Sequence, residues 1–323
     1  MKNAALALAA SVALLVAGQG LAEPERVAPG AISVDGKVTL TPAIAPDGKT
    51  AYFSRADCDL IWKCPQLLHV SYFDGEAWSE GERVAGLGAF RVDWPTLAPD
   101  GETLVFSWTK PRQAYEDLDI IENFDLFSLN LSDEQGEPQA IMGGDVNRPR
   151  AGRLKTRRAF HVQSMGTFTS AGDLYFWDER EDAIGERDVF VARSDGAGGL
   201  LPAQPVPAPI NSTGRDQLGY VNPAGTVMLL SYPNRGGFGG DDIFISRRSG
   251  AAWSEPQNLG DLVNSPAYEG APRFSPDGSK LLFTSTRAFG DTPEGLLQAW
   301  WIDTDELIDA GVLQPSDVAP WPS

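Results

Sequence analysis

The sequence predicts an all-β propeller built from four-stranded blades, and three observations predict it. A glycine-anchored turn recurs as Pro46-Asp47-Gly48, Pro99-Asp100-Gly101, Ala171-Gly172, Pro223-Ala224-Gly225 and Pro276-Asp277-Gly278, with its glycines 53, 71, 53 and 53 residues apart. A short apolar run follows each turn, such as Leu104-Val105-Phe106-Ser107 and Leu281-Leu282-Phe283-Thr284. A second run then follows a loop, as in Asp125-Leu126-Phe127-Ser128-Leu129 and Asp188-Val189-Phe190-Val191-Ala192. A fixed period of about 50 residues marks a repeat architecture. Short strands with dense Gly and Pro also suit a β-sandwich, but the even period makes that the weaker choice.

The last unit shows the elements in order. Ala271 to Ser275 is a first strand with Pro272 near its start, where a missing N–H does little harm. Pro276-Asp277-Gly278 is a tight turn: Pro presets φ, Asp caps its own backbone and Gly accepts a positive φ. Lys280 to Thr286 is the second strand and Gln298 to Asp303 the third. The preceding unit supplies a fourth, from Trp253-Ser254 to Leu259, after the third strand Asp242 to Arg247 and the turn Ser249-Gly250. Unit one repeats this with Leu67 to Ser71, the turn Asp74-Gly75 and Trp78-Ser79. No stretch of the repeat reads as a helix.

The two ends decide the blade count. Glu25 to Gly30 lies as far before Pro42 as Glu255 to Gly260 lies before Pro272. The N-terminus is therefore expected to supply the outer strand of the last blade, closing the ring and removing a free edge. The longer second interval is assigned to an acidic loop (Glu116, Asp117, Asp119, Glu122) and a Gly-rich stretch at Met142-Gly143-Gly144. Five blades are preferred, with six as the rival.

The repeated phrase Pro-x-Phe-Ser-Pro-Asp-Gly, strand, Ser-x-Arg, Asp-Ile-Phe-x-Ser, Trp-Ser-x-Pro resembles the TolB-like, or WD40-like, propeller repeat. It is fullest between Asn234 and Arg287, and unit three replaces Pro-Asp-Gly with Ala171-Gly172-Asp173. The Gly-His and Trp-Asp signatures of true WD40 repeats are absent. The resemblance implies an envelope-associated binding role, since TolB-like proteins engage outer-membrane lipoproteins.

Residues 1–22 read as a secretory signal peptide: Lys2, an apolar core from Ala4 to Ala17 and a small-residue exit at Gly20-Leu21-Ala22. The remaining 23–323 are expected to form a single propeller domain, periplasmic or secreted, with no further membrane span. Lys2 leaves with the signal, so 25 of the 26 Lys and Arg remain against 44 Asp and Glu. Such a surface repels phosphate backbones and anionic headgroups, so nucleic acid is not an expected partner. In an oxidising compartment, Cys58 and Cys64 read as a disulfide stapling a loop. A metal site would need more Cys or His than the two His present, His69 and His161.

Candidate chemistry is sparse. There is no Gly-x-Ser-x-Gly elbow, no phosphate-cradling glycine loop and no His cluster, so no cofactor or metal is expected. Three acids, Asp93, Asp216 and Glu269, each enter the first strand of a unit, and His161 precedes the unit-three turn. First strands line a propeller's channel, which makes these four the candidate ligand-binding residues at its mouth. Structural bonds to backbone N–H groups are the competing assignment for the acids. A second recurring pair is Arg180 with Asp188, Arg235 with Asp242 and Arg287 with Asp291, read as ion pairs tying the loop after the second strand. The loop from Arg235 to Asp242 reads as a permissive glycine-rich turn that exposes Phe238. The leading functional expectation is a non-enzymatic propeller binding a protein or envelope partner. The rival is a carbohydrate-active enzyme or glycan binder, because glycoside hydrolysis needs two carboxyls flanking the bond and the chain has nine Trp to stack on sugars.

Overall fold

The computed structural model describes residues 23–61, 63–110, 124–133, 136–147, 164–180, 182–233, 235–292 and 294–321. The signal segment, the acidic loop at 116–122 and His161 lie outside the described residues. The first blade holds β2 (Val38–Thr39), β3 (Ala43–Ile44), β4 (Thr50–Ala56), β5 (Leu67–Tyr72) and β6 (Glu82–Arg83). The second holds β7 (Val92–Leu97), β8 (Thr103–Trp108), β9 (Asp125–Asn130) and β10 (Gln139–Ala140). The third holds β11 (Ser164–Phe168), β12 (Leu174–Asp178), β13 (Asp188–Ala192) and β14 (Gln204–Pro205). The fourth holds β15 (Gln217–Val221), β16 (Val227–Pro233), β17 (Asp241–Ser249), β18 (Ala252–Trp253) and β19 (Gln257–Asn258). The fifth holds β20 (Glu269–Phe274), β21 (Lys280–Ser285) and β22 (Gln298–Asp303), and β1 (Glu25–Arg26) pairs with β22 at its outer edge. The blade count is five, and the N-terminal strand closes the ring as the spacing predicts.

The turns form as their chemistry dictates. Asp47 accepts the N–H groups of Lys49 and Thr50 at 2.7 and 2.9 Å, and Gly48 takes φ +66°. Asp100 repeats this with Glu102 and Thr103, both at 2.9 Å. The Trp-Ser motif has its own role. The Ser79 hydroxyl accepts the Tyr72 N–H at 3.0 Å while Ser71 donates to the Ser79 carbonyl at 2.7 Å, and Ser254 and Ser246 reproduce both bonds. These bonds hold a hairpin rather than a long fourth strand. In the first blade the outer strand begins only at Glu82, beyond Trp78-Ser79.

Second strands are buried along most of their length and rich in apolar residues because blades stack face to face and bury both sides. In β16, Val227 and Leu229 pack toward the fifth blade, while Met228 and Leu230 pack toward the third. In β12, Leu174 and Phe176 face the second blade and Tyr175 and Trp177 the fourth. Each pair of neighbouring blades thus shares one apolar cluster. Burial of this kind stabilises by roughly 25 cal/mol per Å² of apolar surface removed from water.

The first strands converge on a narrow axis, and four of them bulge at the same depth. Register shifts fall between Asp93 and Thr96, Ser164 and Thr167, Leu218 and Tyr220, and Gly270 and Arg273. A bulge sharpens twist and re-aims the chain. Trp94, Met165 and Ala271 occupy the left-handed region there, at φ +51°, +54° and +49°. Gly219 has no room for a side chain: a Cβ would lie 2.4 Å from Pro272 Cδ. The bulges therefore narrow the middle of the channel.

A helix, α1 (Thr304–Asp309), and a 3-10 turn (Pro315–Val318) follow β22, outside the repeat pattern that predicts strands alone. They bring Trp321 under the ring, where its N–H donates to the Pro276 carbonyl and its indole Nε1 donates to the Tyr220 hydroxyl at 3.1 Å. Asp317 pairs with Arg247 through two bonds of 2.7 and 2.8 Å. The tail thus covers the lower mouth. The upper face is the one where first strands begin.

Cys58 and Cys64 form the expected disulfide, in the loop between β4 and β5. His69, on β5, is structural. Its ring stacks on Phe53 with centroids 5.7 Å apart, and Nδ1 lies 2.8 Å from the Leu67 carbonyl. Burial, reinforced by the nearby Arg55 charge, pushes its pKa down to about 4. With the folded value below the unfolded value of about 6.5, the unfolded chain binds the proton first, so stability falls as pH drops from about 6.5 to about 4. Thermal unfolding at pH 7 and pH 4.5 checks this: His69→Gln is expected to lose less stability between the two pH values than the wild type, by about 1–3 kcal/mol.

Candidate functional site

The three first-strand acids are buried, and each is held by its own blade and the linker leading into it. Glu269 accepts the Ser265 N–H and hydroxyl at 2.9 and 2.6 Å, the Ser285 hydroxyl at 2.7 Å and Arg287 Nη2 at 3.0 Å. Asp216 accepts the Ser212 N–H and hydroxyl at 2.5 and 3.0 Å, with Arg235 Nη2 at 3.5 Å. Asp93 takes Nε and Nη2 of Arg91 at 3.1 and 2.8 Å. Burial pushes the carboxyls of Asp93 and Asp216 up, against the pull of Arg91 and of the Ser212 bonds respectively. No hydrogen bond or ion pair joins one of these acids to another. They brace the blades, and among the described residues no cluster of three or more His, Cys, Asp or Glu is placed to hold a metal.

The arginines that end the second strands belong to the same device, which corrects their expected pairing. Arg235 and Arg287 meet Asp216 and Glu269, and Arg180 meets Asp178, rather than the acids of the following loop. Asp188 instead accepts the N–H groups of Ile184 and Gly185, and Asp242 accepts that of Phe238. Each arginine also donates to the linker that enters its blade: Arg180 to Val146, Arg235 to Ile210 and Arg287 to Val263. The next linker residue is always asparagine. Asn147, Asn211 and Asn264 bracket the N–H and C=O of Leu126, Val189 and Ile243 on the third strand of the preceding blade.

Between the third, fourth and fifth blades, the upper mouth carries a different set. The Arg187 guanidinium lies 3.8 Å over the Trp177 ring, donates through Nε to Glu179 at 2.9 Å and through Nη1 to Gln217 at 2.8 Å. The Tyr268 hydroxyl bonds the Gln217 side chain, and burial raises its pKa. Gly270 makes room for that ring, since a Cβ there would lie 2.1 Å from the hydroxyl oxygen. Asp241 takes no hydrogen bond from any described residue. Burial pushes its carboxyl up despite the Arg215 and Arg187 charges nearby. A cation stacked on an aromatic ring beside a tyrosine and a carboxyl with a raised pKa is suited to holding a polar ligand. Acid-spotting missed this set because of register. Arg187, Arg215, Asp241 and Tyr268 each stand one residue ahead of an acid that the repeat brings to notice: Asp188, Asp216, Asp242 and Glu269. Along a strand, neighbouring side chains take opposite faces.

Phe238 is exposed, as expected, but its glycine-rich loop is tightly packed: a Cβ on Gly239 would lie 2.2 Å from the Pro266 carbonyl oxygen, and the Gly240 N–H donates to Ala267 at 2.9 Å. Leu60, Phe90 and Ile184 are exposed on other loops of the same face. On the lower face, a pocket of about 250 Å³ between the first and fifth blades is lined by Pro46, Phe73, Trp78, Lys280 and Trp301.

Five antiparallel sheets around one axis, three of four strands and two with a fifth short strand, define a five-bladed β-propeller. No protein-family model matches the chain, and no curated protein matches it. Among solved structures, a family 117 glycoside hydrolase of Zobellia galactanivorans is 13% identical, aligned over 87% of this chain and 90% of that one, with a TM-score of 0.50. A puromycin-hydrolyzing peptidase of Mycobacterium tuberculosis is 15% identical over 76% of this chain, with a TM-score of 0.40. This chain spans only 34% of that peptidase. A chain of the nidogen/laminin complex is 11% identical over 78% of this chain and 71% of that one, with a TM-score of 0.41. At these identities the likeness is one of fold.

The brace is testable. Arg287→Met strands the Glu269 carboxylate in the interior and is expected to lower stability by about 3–5 kcal/mol. Adding Glu269→Gln is expected to return part of the loss. Urea unfolding of the two variants gives both values, and equal losses would count against a charge-driven brace.

Proposed function

We propose that the protein is an exported, non-enzymatic propeller of the TolB-like kind, which binds a protein or envelope component on its upper face. The observation that carries this reading is the grouping of exposed apolar side chains on that face. Leu60, Ile184 and Phe238 sit on loops between second and third strands, and Phe90 on the linker into the second blade. They lie on the same face as the charged mouth formed by Arg187, Glu179, Asp241 and Tyr268. An apolar set with a central guanidinium and aromatic ring has the composition of a protein-binding surface. A signal peptide at 1–22, a single mature domain at 23–323 and a periplasmic or secreted location belong to this reading. The disulfide supports an oxidising compartment, and no described helix is long and apolar enough to cross a membrane. Asp93, Asp216 and Glu269 then serve as braces behind the surface, and His161 completes the residues proposed for the mouth.

A glycan at the mouth is the second reading. The observation favouring it is the Tyr268 ring and the Arg187 guanidinium near the Asp241 carboxyl, on a fold shared with a glycoside hydrolase.

One experiment separates the two. Periplasmic cross-linking followed by mass spectrometry is expected to recover a defined partner with the wild type and at least tenfold less with the double variant Ile184→Ser/Phe238→Ser. Equal recovery with both proteins, or no protein partner at all, overturns the leading reading. In the second case, glycan-array binding that is lost in Asp241→Asn supports the alternative.

A further inference from the structure

Arg273, on the innermost strand of the fifth blade, follows the bulge that ends at Pro272. Its Nη1 donates to the carbonyl of Pro95, on the innermost strand of the second blade. The second and fifth blades are not neighbours in a five-membered ring, so this side chain crosses the channel. Arg273 is only 4% exposed. Its Nε and Nη2 have no hydrogen-bond partner among the described residues, and no described carboxylate pairs with it. Tyr220 is the titratable group that neighbours it, and burial raises the pKa of that phenol and keeps it neutral. The Tyr220 hydroxyl already accepts the Trp321 indole N–H, which leaves its own O–H to donate. Below this level the C-terminal tail covers the channel, and the bulges crowd the strands around it.

A guanidinium keeps its proton in proteins, so the buried charge cannot be relieved by neutralisation. An isolated buried cation costs several kcal/mol unless a counter-charge and hydrogen bonds compensate it. Four other internal arginines are paired with a carboxylate: Arg91 with Asp93, Arg180 with Asp178, Arg235 with Asp216 and Arg287 with Glu269, while buried Arg55 donates to the carbonyls of Ala31 and Gly81. Arg273, at the centre of the molecule, has one carbonyl partner and no carboxylate among the described residues, and its Nε and Nη2 nitrogens are unpartnered there.

We propose that the channel centre is a binding site for a small monovalent anion of halide size, held by Nε and Nη2 of Arg273 and the Tyr220 hydroxyl. The site is separate from the upper-mouth surface and does not depend on it. The anion acts as the ring's central counter-ion, joining the fifth blade to the second through one guanidinium. Any ligand that binds only the folded state stabilises it in proportion to the logarithm of its concentration.

The test is thermal unfolding of the full chain in a chloride series at constant ionic strength, with the bulkier isethionate making up the balance. The wild type is expected to gain roughly 3–6 °C once chloride exceeds its dissociation constant about a hundredfold. Arg273→Met is expected to show a flat response. A flat response in the wild type, or equal gains in both proteins, overturns the proposal. If Arg273→Met does not fold, crystals of the wild type grown in bromide decide the matter. An anomalous peak against Nε or Nη2 of Arg273 supports the site, and its absence refutes it.

Discussion

The ring depends on how each linker is held between two blades. Three consecutive linkers solve this with the same two residues. An asparagine side chain closes both backbone groups of the previous blade's third strand, and the carbonyl just before it accepts an arginine from the next blade. In the fourth and fifth blades the same arginine meets a first-strand acid capped by a serine four residues earlier. The geometry places a charge, an amide and a backbone carbonyl in one chain of contacts from blade to blade. Apolar packing alone is non-directional and leaves the angle between two flat sheets loosely defined. Hydrogen bonds with fixed donors and acceptors set that angle, and an unmet buried partner is costly enough to penalise alternatives.

Closure is the second constraint. A row of stacked blades has two open ends, each with unpaired edge groups. The pairing of β1 with β22 joins them, and Thr41 reinforces the seam through its N–H and hydroxyl, 2.8 and 2.6 Å from the Thr284 hydroxyl. The C-terminal tail then uses Asp317 and Trp321 to cover the lower mouth. The two chain ends thus do different jobs: one completes a sheet, and the other covers a hole that the repeat leaves.

The acids near the axis are engaged within their own blades and linkers. In a ring of blades, polar side chains near the axis are drawn into structural roles because interior backbone groups must be satisfied. Asp216 and Glu269 do this by capping serines. Arg187, Arg215, Asp241 and Tyr268 sit one residue earlier, where the strand turns its other face to the mouth. Arg187 belongs to that set because Trp177 gives its guanidinium a flat apolar face and Glu179 a counter-charge.

Much of the architecture was legible in the sequence, because the period, the Asp-Gly turns and the apolar runs act over short distances. A turn aspartate caps its own backbone wherever it is placed, and an apolar second strand must be buried on both sides. The five blades, the closing N-terminal strand and the Cys58–Cys64 bridge all follow from such local rules and from counting. The pairing of the arginines does not. Arg287 and Asp291 are near in sequence, but the partner of Arg287 is Glu269, brought alongside when the first strand pairs with the second. Only the tertiary structure decides such pairings, because they depend on which faces meet after the blades stack. The same holds for Arg273, which reads in sequence as one more charged residue in a strand and becomes the charge at the centre of the ring.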